Sequence, residues 1–161
     1  MNLKNKKANI LFSYILFCTV FVIGCNKAKV PKDFSFRFAD NIDEVNSSDS
    51  TFKRKFVFRD SLVKIGFTPA EKAEIYKVFL QNKVFDLPDK IYTTGNCIVP
   101  YETYYLWVNY NGRHKKTVLY ANCNKIGSVA NAFLNIRKEI ITILQSKPQY
   151  IHLPTSNIFD L

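Results

Sequence analysis

Glycine is scarce in this chain, with five in 161 residues. A loop that cradles phosphate needs several close together, and no P-loop spacing is present. Histidine is scarcer still, limited to His114 and His152. Neither stands in an H-E-x-x-H, no G-x-S-x-G occurs, and a lone His is more often a surface or structural residue than a ligand. A C-x-x-C pair, the usual frame for redox or metal chemistry, is missing as well. Internal repeats and low-complexity tracts are absent. Together these absences predict no catalytic residue, no metal and no cofactor.

A membrane-spanning run is also lacking. The greasiest stretch, residues 10–23, is fourteen residues long, whereas a helix crossing the hydrocarbon needs about 20. Ahead of it "MNLKNKKAN" carries Lys4, Lys6 and Lys7 and no acid, the charged n-region of an export signal. The run ends on Val22-Ile23-Gly24-Cys25 and continues at once with the polar "NKAKVPKD". This stretch resembles the lipobox of bacterial lipoproteins, with Val22 where Leu is commonest and Ile23 where a small residue is commonest. The resemblance implies that Cys25 takes a diacylglyceryl group through a thioether. Cleavage then falls between Gly24 and Cys25, and the freed amine receives a further fatty chain such as palmitate. Each buried methylene contributes about 0.8 kcal/mol, so one chain holds marginally and two or three hold stably.

Residues 1–24 are thus expected to be a signal peptide, residues 25–33 a tether and residues 34–161 a single α+β domain. "NKAKVPKD" stretches to about 26 Å at roughly 3.3 Å per residue, which keeps the domain close to its membrane. The remaining 137 residues suit one core. Net charge falls from +10 to +7, since the signal holds three lysines and no acid. That charge serves either attraction to anionic head groups or plain solubility. Nucleic acid is excluded as a partner, because an exported domain seldom meets it.

Cys18 leaves with the signal and Cys25 becomes the anchor, so Cys97 and Cys123 remain, in a compartment where disulfides persist. In "ETYYLWVNYNGRHKKTVLY" the Asn111-Gly112 pair predicts a hairpin on a type I′ turn. That register pairs Tyr110 with Arg113, Val108 with Lys115, Leu106 with Thr117 and Tyr104 with Leu119. Extended, it sets Pro100 opposite Cys123, and a curl of the flexible "TGNCIVP" lead-in brings Cys97 to the same place. A disulfide tying the open end of the hairpin is expected, contributing about 2 to 4 kcal/mol.

Elsewhere, "DFSFRFAD" and "TFKRKFVFRD" alternate Phe34, Phe36, Phe38 and then Phe52, Phe56, Phe58 at the period of half-buried strands. The "NIDEVNSSDS" between them reads as a long solvated loop. In and beside it, Asp40, Asp43, Glu44 and Asp49 miss the D-x-D-x-D-G pattern of an EF-hand. A short strand is expected at residues 62–65. Thr68-Pro69-Ala70-Glu71 opens a helix by N-cap, Pro at the first position and capping box. Its apolar face holds Ile75, Val78 and Phe79. A second helix is predicted over residues 128–145, with Val129, Ala132, Phe133, Ile136, Ile140, Ile143 and Leu144 on one stripe and Pro148 as its stop. The order is ββαββα, an antiparallel sheet of about four strands with two helices on one face.

The hairpin register gives one face Tyr104, Leu106, Val108 and Leu119, the expected core. The other carries Tyr105, Trp107, Val118 and Tyr120 beside Lys116 and His114. Aromatics flanked by cations are what binding interfaces favour. Either a helix or the first hairpin covers this second face, or it is open with Trp107 at its centre, and then Trp107, Tyr105, Tyr120 and Lys116 are the binding residues. Lys53-Arg54-Lys55 and Arg113-His114-Lys115-Lys116 read as solvated edges that discourage pairing with other chains.

In its two hairpin-plus-helix units and its "YYLWVNYNG" strand and turn, the domain resembles small bacterial protease-inhibitor domains of the emfourin type. The likeness lies in pattern order and implies no particular inhibitory residue. The expected function is that of a non-enzymatic, lipid-anchored envelope protein of inhibitor or immunity type, with membrane lipid engaged through Cys25 and a protein or glycan as its partner. The alternative is an envelope hydrolase without familiar motifs. In lipoproteins an Asp after the Cys marks inner-membrane retention; Asn26 stands here, so the outer membrane is expected.

Overall fold

The structure, a computed structural model, describes residues 29–98 and 102–158. The signal segment, with Gly24 and Cys25, lies outside the described residues, as do Pro100 and the last three positions. No described helix is long and apolar enough to cross a membrane.

Four short strands come first: β1 (Ser35–Ala39), β2 (Asp43–Asn46), β3 (Thr51–Arg54) and β4 (Ser61–Lys64). Helix α1 (Pro69–Gln81) follows, then a 3₁₀ turn (Val84–Asp86). Next are β5 (Lys90–Tyr92), β6 (Thr94–Cys97), β7 (Thr103–Tyr110), β8 (Arg113–Tyr120) and β9 (Cys123–Lys125). The chain closes with α2 (Ser128–Gln145) and the short α3 (Pro148–Ile151). The main sheet runs β4-β3-β2-β1-β7-β8-β5, antiparallel except for the β5–β8 pair, and β6 and β9 form a separate ribbon. The α+β class stands. Among the described residues the four-strand, two-helix count is corrected to a seven-strand sheet with three helices.

Two local signals fold as read. Thr68 Oγ1 accepts the Glu71 N–H at 3.3 Å and Glu71 Oε2 accepts the Thr68 N–H at 2.7 Å, which completes the capping box of α1. Asn111 and Gly112 both adopt positive φ, +51° and +67°, as a type I′ turn requires, and β7 and β8 pair in the expected register. A feature not read from the sequence reinforces this turn. The Asp33 carboxylate accepts the N–H groups of Asn111 and Gly112 at 3.0 and 2.8 Å. These bonds hold its pKa below the usual carboxylate value.

Other expectations change. "DEVN" is a strand, not loop, pairing Val45 with Phe38 on one side and Phe52 on the other. The Phe alternation after Thr51 stops early: β3 ends at Arg54, Phe56 lies beyond it, and Phe58 is 94% exposed in the β3–β4 connection. Lys53-Arg54-Lys55 therefore begins inside the sheet, not on an edge. In α2 the stripe shifts by one residue at its start, with Ala130 buried and Val129 exposed. Pro148 does not only stop α2; it occupies the first turn of α3, where its missing N–H is harmless.

The core lies on one face of the sheet. Phe36, Phe38, Leu106, Val108 and Leu119 meet Ile75 and Phe79 of α1 and Phe133, Ile136 and Ile140 of α2. Aromatic packing dominates near α1, where Phe34 stands edge-on to Tyr76 and Phe79 with centroids 5.1 and 5.6 Å apart.

Cys97 and Cys123 are disulfide-bonded. They sit directly opposite one another in the β6–β9 ribbon, and the Ile98 N–H donates to Asn122 O at 2.7 Å. The bond lies in a second small ribbon, and the whole β7–β8 hairpin stands between its two cysteines, so the expected disulfide at the open end of that hairpin is present. Within the ribbon Gly95 adopts φ +96°, and a Cβ there would collide with Asn124 and Lys125.

Candidate functional site

Strand alternation gives the sheet a second face, turned away from the helices. Across the middle strands it reads Asn46, Arg37, Trp107 and Lys116 in one row, and Glu44, Ala39, Tyr105 and Val118 in the next. Ala39 and Val118 are buried yet belong to no part of the helix-side core.

Trp107 is the centre of that face. Arg37 lies over its ring at 4.6 Å from the centroid and Lys116 at 5.4 Å, while Tyr105 stacks beside it at 5.8 Å and 15°. Glu44 holds the Arg37 fork in place, accepting from Nε at 2.8 Å and Nη2 at 2.9 Å. A planar guanidinium so fixed presents an ordered cation against an aromatic surface. Further along, Tyr120 stacks on Tyr92 at 4.9 Å and 9°, and Tyr92 is 61% exposed. Thus Tyr105, Trp107, Lys116 and Tyr120, all named from the sequence, lie on one face, as the hairpin register required. The sequence pattern does not place Arg37, Glu44 or Tyr92 on this face. Arg37 sits between two phenylalanines in β1, and its place opposite Trp107 comes only from the β1–β7 pairing.

His114 borders this face. Its Nδ1 lies 2.6 Å from Asn109 Oδ1. It lines a groove with Asp89, Lys115 and Lys116 that does not include His152. His152 is at the end of α3, beyond Tyr150, whose ring packs on Phe52 on the helix side. The two histidines do not converge.

The acidic residues of the first strands are engaged one by one. Asp40 accepts the N–H groups of Ile42 and Asp43 at 2.9 and 2.7 Å. Asp43 meets the Arg54 guanidinium through two bonds of 2.8 Å, and the hydrogen bonds to Asp43 raise the Arg54 pKa further. Asp49 accepts from the Thr51 N–H at 3.1 Å. Among the described residues no group of three or more His, Cys, Asp or Glu is placed to hold a metal ion.

A shallow cleft at the other end of β7 collects Asp40, Glu102, Tyr104 and Arg137. Arg137 lies over the Tyr104 ring at 4.6 Å and the Tyr104 hydroxyl donates to Glu102. Burial, helped by that carboxylate, pushes the Tyr104 pKa up to about 12. A phenol so held keeps its proton at neutral pH and is no base or nucleophile there.

No protein-family model matches this chain, and no curated protein matches it.

Proposed function

We propose that this protein is an envelope lipoprotein, anchored through Cys25, whose domain binds another macromolecule with the outer sheet face centred on Trp107. The observation that carries this reading is the ordered set of Trp107, Tyr105 and Arg37 on a face that no described helix packs against. Trp, Tyr and Arg are the residue types that concentrate binding energy at interfaces, because they bring large area at small entropic cost. An inhibitor or immunity-type protein is one case of this function, and the outer membrane is its proposed location.

The tether has a geometric consequence within this reading. Asp33 clamps the β7–β8 turn, so the anchored segment leaves the domain beside that turn. The turn end of the sheet then faces the membrane, with the aromatic face running away from it.

The test is crosslinking in cells followed by recovery of the anchored protein, for the natural chain and for Trp107→Ala. Loss of a recovered partner in the variant is expected. Equal recovery of every partner would refute the face as the binding surface.

A further inference from the structure

Strand β5 is three residues long and covers β8 only at Val118, Leu119 and Tyr120. The outward backbone groups of β8 belong to alternate residues. The Val118 N–H donates to Asp89 O at 2.9 Å, and Tyr120 O accepts the Thr93 N–H at 3.1 Å. A two-residue turn makes Tyr110 and Arg113 a hydrogen-bonded pair, so Arg113, Lys115 and Thr117 spend their backbone groups on β7. By the same alternation the N–H and C=O of His114 and Lys116 point outward, past the start of β5. Both residues are exposed. A groove runs along this open edge, lined by Asp89, Lys90, His114, Lys115, Lys116 and Val118.

The charge of the groove is one-sided. Lys90, Lys115 and Lys116 line it, and its one acidic lining residue, Asp89, is engaged with Lys115 at 2.6 Å. A second copy of this chain would bring Arg113, Lys115 and Lys116 against themselves, which disfavours edge-to-edge pairing of two copies. A chain with carboxylates at alternate positions meets the opposite balance.

We propose that the open half of β8 accepts an extended acidic peptide segment as an added strand, bonded to the backbone of His114 and Lys116 and paired in charge with Lys90 and Lys116, which share one face of the sheet. This inference rests on the reading of the domain as a binder and makes its partner a protein. Such a strand would extend the sheet alongside β5, with every second side chain next to Lys116 on the face that carries Trp107.

The test uses the detergent-solubilised full chain and an end-blocked peptide of alternating Glu and Val. Its controls are the same peptide with Lys for Glu, and one with methylated amides on the bonding edge. Binding of the Glu peptide alone is expected, with exchange of the His114 and Lys116 amide hydrogens slowed about tenfold at saturation. Lys116→Pro removes an outward N–H and should weaken binding about tenfold more than Lys116→Ala does. The exchange measurement on the natural chain stands even if the proline variant fails to fold. Equal binding of the Glu and Lys peptides, or of the methylated one, would overturn the proposal. So would protection of the same amides by self-association, or by anionic vesicles in place of the peptide. A failed edge with Trp107-dependent crosslinking retained would remove this inference alone, and loss of both would remove the binding reading.

Discussion

Arg37 and Trp107 stand opposite each other in the β1–β7 register, with the guanidinium 4.6 Å from the ring centroid and Glu44 gripping its far side. Trp107 is the only tryptophan of the chain, so its fluorescence reports this face without interference. Arg37→Ala should raise quenching of Trp107 by acrylamide while lowering stability by less than about 1 kcal/mol, the range of an exposed cation–π contact. Unchanged quenching would mean that the arginine does not shield the ring in solution.

The Cys97–Cys123 bond closes a loop with a sequence separation of 26. On the chain-entropy relation that is worth about 3.5 kcal/mol. Replacing both cysteines by serine should lower the unfolding free energy by about that amount in a denaturant titration. The β7–β8 ladder, whose pairing from Thr103–Tyr120 to Tyr110–Arg113 includes neither cysteine, should keep its amide protection.

Glu71 predicts a dependence on acid. Burial raises its pKa, but hydrogen bonds from Lys147, at 2.6 Å to each oxygen, and from Thr68 outweigh burial and hold it below the usual 4.5. A carboxylate depressed in the folded state stabilises above its unfolded value, and that contribution disappears as pH falls through the folded one. Glu71→Gln should therefore cost about 1 kcal/mol at neutral pH, a modest figure for a partly exposed pair. The difference between the two proteins should vanish in thermal melts taken well below pH 4.5.

Tyr104 predicts the opposite sign at the alkaline end. Its folded pKa of about 12 lies above the ordinary 10.0, so its contribution is complete below 10.0 and lost as pH rises through about 12. Burial also raises the Tyr110 pKa, so absorbance titration should show late tyrosines of which Tyr104→Phe removes one. A phenol titrating with the rest would place Tyr104 outside the cleft made with Glu102 and Arg137.

What could be read in advance follows physical scale. The Asn111-Gly112 turn and the Thr68–Glu71 cap are local devices, and each specified its element nearly to the residue. The period of α2 is long enough to average out an exposed Val129. Strand β2 was missed because Asp43, Glu44 and Asn46 surround a single apolar Val45, and one residue has no period. Its polar side chains find partners only across the sheet, Asp43 in Arg54 and Glu44 in Arg37. Strand β5 is three residues long and pairs in parallel with β8, a contact without a turn to announce it. Phe56 and Phe58 misled in the other direction, since alternation continued in the sequence after the strand had ended.

The site divides in the same way. Tyr105, Trp107, Lys116 and Tyr120 share one hairpin, so its register alone assembled them. Arg37 and Glu44 reach the face through the β1–β7 and β1–β2 pairings, and Tyr92 through the parallel strand. These are long-range contacts that a hydrophobic pattern does not encode.

The central claim is that the sheet face against which no described helix packs makes the contact with a partner. A photoreactive amino acid placed singly at Tyr105, and for comparison at the exposed Lys138 of α2, tests it most directly in cells. Crosslinked adducts from Tyr105 and none from Lys138 are predicted. Adducts from Lys138 with none from Tyr105 would contradict the account.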